Sequence, residues 1–409
     1  MSEPIRVIFY NDGFEQTSGY GKVTRELATR LAKDSNYDVY SLDIVDKNPM
    51  RVIDNVTVLP IHGMREDAIR TWYISSMVNT FSLIKPHVII PVCDAFLIER
   101  DGFNKINFGK GIKVMPYVPV DSNNIAKGSD TTFKKAHRIL VQSEFGQKEI
   151  LKNGFKSHVF RHGVDMKKFK PDSERRSKIR KQFNIADDEK VFLFIGRNTK
   201  RKRPEWLIRG FALFVKNNPD AKVKLIMHGS RYNDYADNIY EQIEREEILH
   251  DVDLTDKIFF PYKDHTLGKG ESEDKIIDLY HAADWTVSMA SGEGTGLMSL
   301  ESFACGIPTI YPMNSNYEEI LGPTSPGYNL HQRGYTVNAL EDIFVGLGCT
   351  QPLPSYNDLS KVLSYAYNLD ETTYEQLSQN CLAWVKENAD WDEKVKELKN
   401  HIFKVMINE

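Results

Sequence analysis

Two short apolar runs, IRVIFY (5–10) and VFLFIG (191–196), most constrain how this chain can fold. Each is rich in β-branched or aromatic residues, and each gives way to a polar loop. A run that is apolar throughout reads as an inner strand of a parallel sheet, covered on both faces. After the first come Asn11-Asp-Gly, Ser18-Gly19-Tyr20-Gly21, and then Val23, Leu27 and Leu31 at helical spacing. After the second come a basic loop, the helical pattern EWLIRGFALFVKNN and a new strand, AKVKLIMHGS (221–230). Strand, loop, helix, strand, begun twice, predicts an α/β chain with two Rossmann-like, doubly wound domains.

Further strand-like runs support that reading. They are YDVYSLDI, HVIIPVC (87–93), KVMPYVPV (113–120), RILVQS (138–143), SHVFRHGV (157–164), KIFFPY (257–262) and WTVSMA (285–290). The charged run 167–190 reads as a solvated helix and linker closing the first domain, so the domains are expected at 1–185 and 186–389. Residues 322–356, rich in Gly, Pro, Tyr and Asn, are expected to form a long irregular excursion. The tail is helical from about Leu359, and Trp391, Val395, Leu398, Ile402 and Met406 form an apolar stripe that reads as core.

Composition excludes several classes. A net charge of −4 over 409 residues, with 27% charged, argues against nucleic-acid binding and a membrane-coating role. Cys93, Cys305, Cys349 and Cys381 lack metal or disulfide spacing and read as free thiols in a reducing compartment. No apolar run approaches the length of a membrane span, and the N-terminus lacks a signal peptide's apolar region. The expectation is a cytoplasmic protein, soluble or peripherally associated with a membrane.

The chemistry concentrates in two loops. Ala290-Ser-Gly-Glu-Gly-Thr-Gly-Leu-Met-Ser-Leu-Glu-Ser-Phe-Ala-Cys-Gly-Ile-Pro-Thr-Ile310 reads as strand end, glycine loop, short helix, turn and strand. Glycines let backbone N–H groups approach a ligand, and a helix N-terminus favours anions. Glu293 in that loop and Glu301 in the helix fit a ligand that also carries hydroxyls, because carboxylates accept hydrogen bonds from them. Arg197-Asn-Thr-Lys-Arg-Lys-Arg-Pro204 puts five cations after the strand 191–196 and before a helix, which suits a diphosphate. A solvated basic loop is the alternative for that run taken alone. Together the loops point to a sugar nucleotide. Asp94 and Asp121 each follow a strand and read either as cleft residues or as turn formers and caps. Ser18-Gly19-Tyr20-Gly21 is not a G-x-G-x-x-G fingerprint, which disfavours a dinucleotide oxidoreductase.

These residues resemble a known family. Glu293-Gly-Thr-Gly-Leu-Met-Ser-Leu-Glu301-Ser-Phe-Ala-Cys-Gly-Ile-Pro resembles the E-x7-E signature of retaining GT-B glycosyltransferases of family 4. Gly196-Arg197 with Lys202 resembles that family's Arg/Lys pair, and His162-Gly-Val-Asp165 with Phe169-Lys-Pro171 its interdomain segment. Gly19 and Gly21 are similar to its N-terminal glycine loop. The resemblance implies a GT-B fold, two Rossmann-like domains facing a cleft, with the final helix, 390–409, crossing back to an acceptor-side first domain. It implies that Glu293 meets the donor hexose, Glu301 the ribose, and Arg197 and Lys202 the diphosphate. Gly294, Thr295, Gly296, Leu297 and Met298 would contact sugar and phosphate through their backbone, and base selectivity would lie around Gly229 to Tyr232 and Pro261 to Lys263, including Tyr262. It also implies a glycan or glycoconjugate acceptor, no metal and no cofactor beyond the donor, with GDP-mannose favoured over a UDP-sugar. Asp251-Val-Asp253 is then a surface turn. Many members carry a His after the strand that here reads Tyr117-Val-Pro-Val-Asp121, so Asp121 stands as a candidate substitute. The alternatives are a non-catalytic binding module on the same fold and a GT-B phosphorylase.

Overall fold

A computed structural model describes residues 3–44, 49–60, 70–100, 102–109, 111–231, 238–262, 270–326 and 329–408. The chain divides into two compact units: 1–162 with 344–350 and 391–409, and 163–343 with 351–390.

The first unit runs β1 (Ile5–Asn11), α1 (Gly19–Leu31), β2 (Tyr37–Asp43), β3 (Arg51–Ile53), β4 (Val56–Pro60), α2 (Arg70–Ile84), β5 (Val88–Pro91), α3 (Ala95–Arg100), β6 (Lys113–Val114), β7 (Tyr117–Val118), α4 (Ser129–Lys135), β8 (Leu140–Val141), α5 (Glu144–Lys152) and β9 (His158–Val159). Its main sheet has the order β3-β4-β2-β1-β5-β6, parallel except for the β3–β4 pair, and β7-β8-β9 form a second parallel set. Val7, Ile8, Phe9 and Tyr10 of β1 are fully buried, as a strand covered on both faces must be. Helix α1 begins at Gly19, not after the glycine loop as expected, because the Ser18 hydroxyl caps it by accepting from the Gly21 N–H at 3.0 Å. A Cβ on Gly21 would lie 2.5 Å from the Gly13 carbonyl oxygen, so the turn needs glycine there.

The second unit runs α6 (Ser173–Gln182), β10 (Lys190–Ile195), α7 (Pro204–Asn217), β11 (Val223–His228), α8 (Ile239–His250), β12 (Ile258–Phe259), α9 (Glu273–Ala282), β13 (Trp285–Val287), α10 (Leu297–Ala304), β14 (Thr309–Pro312), α11 (Tyr317–Leu321), β15 (Leu330–His331), β16 (Gly334–Val337), the hairpin β17 (Ala339–Gly346) and β18 (Cys349–Pro354), α12 (Tyr356–Tyr367) and α13 (Glu371–Asn388). Its seven-stranded sheet has the order β12-β11-β10-β13-β14-β16-β15, with only β15 antiparallel. Pro204 at the first turn starts α7, whose Leu207, Ile208, Phe211 and Phe214 are fully buried on one side of the sheet. Tyr280, Phe303, Leu321 and Cys381 belong to the cluster built around α9, α10 and α13.

Three expectations need correction. Residues 322–356 are not irregular: they contain β15 to β18. β16 is buried on both faces and β17 is largely exposed, so neither shows the alternation that marks a half-buried strand. The charged run 167–190 is only partly solvated. Arg180 of α6 is 4% exposed and donates to Asp284 Oδ2 at 3.4 Å and to three backbone carbonyls, while Arg176 donates to Asp284 Oδ1 at 2.7 Å. Those bonds fasten α6 to the strand end at Asp284, and residues 163–185 fall in the second unit, not the first.

α14 (Trp391–Met406) completes the first unit. Val395, Leu398 and Ile402 are buried, and Arg30–Asp392 at 3.1 Å and Lys399–Asp34 at 2.7 Å flank them. Arg138 donates to Nδ1 of His401 at 2.8 Å and approaches Nδ1 of His158 at 3.3 Å. Nearby, the Tyr117 hydroxyl lies 2.5 Å from Nδ1 of His162. Burial pushes His162 down to about 3, and burial and then the Arg138 guanidinium push His158 down to about 4. Both stay neutral in the folded unit while the unfolded chain takes up protons below about 6.5. Their stabilisation is therefore complete above that pH and falls as pH drops through 6.5 towards 3. Urea unfolding should show a loss of about 2 kcal/mol from His162 between pH 6.5 and 5. A His162→Asn variant should show a shallower slope over that interval; an equal slope would refute the assignment.

Candidate functional site

In the second unit the strand order runs outward from β10 through β11 to β12 on one side and from β13 through β14 on the other. The carboxyl ends of β10 and β13 therefore flank a topological switch point, where open α/β sheets bind ligands. The basic loop follows β10 and the glycine–acid loop follows β13, and parallel pairing of Phe192 with Trp285 brings both loops to one edge.

There the predicted Lys202 and Glu293 meet directly. Lys202 Nζ is paired with Glu293 Oε1, and Arg201 Nη1 lies 3.2 Å from Oε2. Arg201 also donates to the Gly292 carbonyl, and its own carbonyl accepts from the Ser291 N–H at 2.9 Å. Glu293 is only 8% exposed. Burial opposes its charge, but the Lys202 and Arg201 cations outweigh burial and hold its carboxyl below the usual range. For Lys202 burial dominates and lowers its pKa, against the pull of Glu293. Arg197 is exposed and lies within electrostatic reach of Lys202.

The loop beyond Glu293 is fixed from behind. The Ser315 hydroxyl donates to the Glu293 carbonyl at 2.7 Å and accepts from its N–H at 3.1 Å. Asn316 Nδ2 donates to the Thr295 carbonyl at 2.9 Å and contacts that of Gly294 at 3.4 Å, and Tyr311 donates to Asn316 Oδ1 at 3.0 Å. Gly296 is the N-cap of α10 at φ 84°, a left-handed conformation that favours glycine, and no side chain caps the helix. Gly296, Leu297 and Met298 are half-buried, so the first turn of α10 reaches the surface with its positive dipole end. One turn further, the Tyr280 hydroxyl of α9 donates to Glu301 Oε2 at 2.7 Å.

A separate cluster lies at the ends of β11 and β12. Arg231 donates to the Tyr262 carbonyl and to the Tyr240 hydroxyl at 2.6 Å, and its guanidinium sits 4.9 Å from the Phe260 ring centre. Tyr262 is thus part of that cluster, with the Lys275 ammonium 4.9 Å from its own ring centre. Phe194, Gly196, Asn198, Gly229, Arg231 and Phe260 line a small pocket beside it. Tyr232 and Lys263, named with this region from the sequence, lie outside the described residues. Asp251, in a left-handed conformation, ends α8, and the Asp253 carboxylate accepts from the Thr255 N–H, so both serve a turn. No group of potential metal ligands occurs among the described residues.

Gly19, Gly21, Asp94 and Asp121 belong to the first unit. The Tyr20 hydroxyl, between the two glycines, donates to Asp94 Oδ2 at 2.8 Å. Burial, then the Asp94 carboxylate, with a smaller part from Asp121, hold that phenol well above its ordinary range. Asp94 and Asp121 thus share one neighbourhood around Tyr20, which the sequence reading did not single out. Arg201, Tyr280, Ser315 and Asn316 were also not singled out. A usable signal was the Asn314-Ser-Asn run immediately after a strand, since such residues bond to nearby backbone.

Residues 175–342 match the family model of glycosyl transferases, group 1. Over 154 residues the chain is 30% identical to mannosylfructose-phosphate synthase of Agrobacterium fabrum, covering 37% of this chain and 32% of that protein. Over 190 residues it is 27% identical to D-inositol 3-phosphate glycosyltransferase of Mycolicibacterium smegmatis, covering 45% and 39%. The aligned part spans well under half the length of these curated relatives. Sucrose-phosphate synthase from Thermosynechococcus elongatus has a TM-score of 0.77 at 15% identity, over 99% of this chain and 100% of that one. Anabaena HepE in complex with UDP-glucose has a TM-score of 0.71 at 13% identity, over 98% and 100%. At these identities the structural likeness is one of fold.

The close approach of the β10 and β11 ends gives a stability test. Gly229 sits at φ 152°, and a Cβ there would lie 1.9 Å from the Gly196 carbonyl oxygen. Gly229→Ala should lower unfolding stability by about 1–3 kcal/mol, measured by urea denaturation. An unchanged midpoint would show that the strand ends are not held together in this way.

Proposed function

The second unit carries a group 1 glycosyl transferase module of GT-B, family-4 type, and from that premise we propose that the protein is a retaining glycosyltransferase. It moves a hexose from a nucleoside diphosphate to a hydroxyl of a glycan or glycoconjugate, without a metal. One observation carries the reading. A buried, ionised Glu293 lies between Arg201 and Lys202 at the switch point of the sheet, beside the uncapped N-terminus of α10.

The chemistry follows from that arrangement. Breaking the bond between a hexose and a diphosphate leaves positive charge on the sugar carbon and negative charge on the departing phosphate. Lys202, with Arg197 beside it, stabilises the phosphate charge, and the α10 N-terminus adds its dipole. Glu293 accepts hydroxyls of the hexose near the anomeric carbon, and Glu301, held by Tyr280, accepts those of the ribose. The acceptor hydroxyl attacks on the leaving-group face, and a phosphate oxygen takes its proton. In the first unit Asp94 and Asp121 with Tyr20 are the acceptor-side candidates. The base lies in the pocket at Gly229 and Arg231. GDP-mannose is the favoured donor, in keeping with a relative named for mannosyl chemistry. A UDP-sugar is the alternative, since a protein of like fold was solved with UDP-glucose.

The test is release of free nucleoside diphosphate from GDP-mannose, UDP-glucose and ADP-glucose, with and without sugar acceptors, beside a thermal-shift panel. A donor at 100 times its Kd should stabilise the protein by about 2.7 kcal/mol. Lys202→Ala should cut kcat by roughly 10²–10³-fold. Glu301→Gln should mainly raise the donor KM, by about tenfold or more. No shift with any nucleotide sugar would sink the reading. Donor binding without turnover would leave the non-catalytic module, and a requirement for free phosphate would leave the phosphorylase.

A further inference from the structure

The cations around Glu293 outnumber what the diphosphate role requires. On the reading above, Lys202 serves the leaving phosphate. In the structure, however, it is paired with Glu293 Oε1. A lysine that turns to the diphosphate leaves a carboxylate that is 8% exposed with one fewer counter-ion. Breaking a buried ion pair from one side is strongly unfavourable, and a carboxyl so placed takes up a proton instead. A second cation has to remain if Glu293 is to stay charged and in place.

Arg201 has the geometry for that task. Its Nη1 lies 3.2 Å from Glu293 Oε2, the oxygen that Lys202 does not hold. The same nitrogen donates to the carbonyl of Gly292, the residue before Glu293. Its backbone carbonyl accepts from the Ser291 N–H at 2.9 Å, one residue further back. Two residues on, Arg203 Nε donates to the Ser291 hydroxyl at 3.2 Å. Arg201 is thus anchored to the backbone of the Glu293 loop as well as to the carboxylate. Lys202 has a single-point ammonium, and it donates to the Glu293 carboxylate. A planar guanidinium can hold two oxygens in fixed directions, and a lysine is freer to change partners. The other titratable groups facing Glu293 are the Tyr311 phenol, which feels its charge, and Arg197 across Lys202.

We propose that Arg201 is the positioning residue for Glu293, the counter-ion that keeps this carboxylate ionised and oriented towards the hexose when Lys202 moves to the diphosphate. The proposal rests on the donor assignment above. Arg201 acts on the sugar half of the donor through Glu293, and Lys202 and Arg197 act on the phosphate half.

Two measurements test it. The first needs no donor: ¹³C-carboxyl NMR titration of the unliganded protein, with the Glu293 signal identified by its loss in Glu293→Gln. Arg201→Gln should raise the Glu293 midpoint by at least about one unit, and Arg201→Lys, which keeps the charge, should raise it less. An unchanged midpoint in Arg201→Gln overturns the proposal. The second is calorimetric binding of GDP against GDP-mannose and of UDP against UDP-glucose. Arg201→Gln should leave affinity for the nucleoside diphosphate within about threefold, while the gain contributed by the hexose falls about tenfold or more. Equal weakening of both ligands would make Arg201 a phosphate contact and overturn the proposal. If the wild-type protein binds none of the four, the donor assignment fails, and the carboxyl titration still decides the role of Arg201 at Glu293. Unfolding temperatures of both variants separate a loss of fold from a loss of positioning.

Discussion

A charge removed from water and held between two others is what the second unit is arranged around. Glu293 could not stay ionised at 8% exposure without Lys202 and Arg201. Those cations reach it because β10 and β13 are neighbours in the sheet although about ninety residues apart in the chain. The parallel crossovers that separate them in sequence place their carboxyl ends at one edge. The Ser315 and Asn316 bonds hold the glycine loop from the side of β14, and Tyr280 holds Glu301 from α9. Four elements thus converge on one short stretch of backbone, and that stretch is where α10 begins.

The two units use the same strand-end geometry with opposite chemistry. At the switch between β1 and β5 the groups are carboxylates and a phenol: Asp94 on Tyr20, with Asp121 in the same field. At the switch between β10 and β13 they are cations around one acid. Hydroxyl-rich ligands suit the first set, which can only accept or share protons. A phosphorylated ligand suits the second.

Much of this was legible in the residues. VFLFIG and IRVIFY announced inner strands because a parallel sheet covered on both faces demands runs that are apolar nearly throughout. The meeting of the basic loop with the Glu293 loop was legible because both follow strands of one parallel sheet. Other features were hidden for definite physical reasons. Arg201 sat inside a run of five cations, and its contacts with Glu293 and with the backbone of that loop distinguish it from its neighbours. Tyr280 carried no signal of its own, since its hydroxyl matters only once Glu301 lies beside it. β16 and β17 gave no period-two signal, one being buried throughout and the other largely exposed. The extent of the first domain was misjudged because charge in α6 suggested solvent, whereas Arg176 and Arg180 spend theirs on Asp284.

The return of the last helix to the first unit sets an order of events during synthesis. α1 and Asp34 leave the ribosome early, but α14, which brings Asp392 and Lys399 to them, is made only after the second unit. At ~5–20 residues per second the gap is tens of seconds. For that interval the surfaces that α14 will cover stand open, while the second unit already has every segment it needs. The first unit is therefore completed after the second. A nascent chain stalled short of Trp391 should carry a finished second unit behind a first unit that still lacks α14.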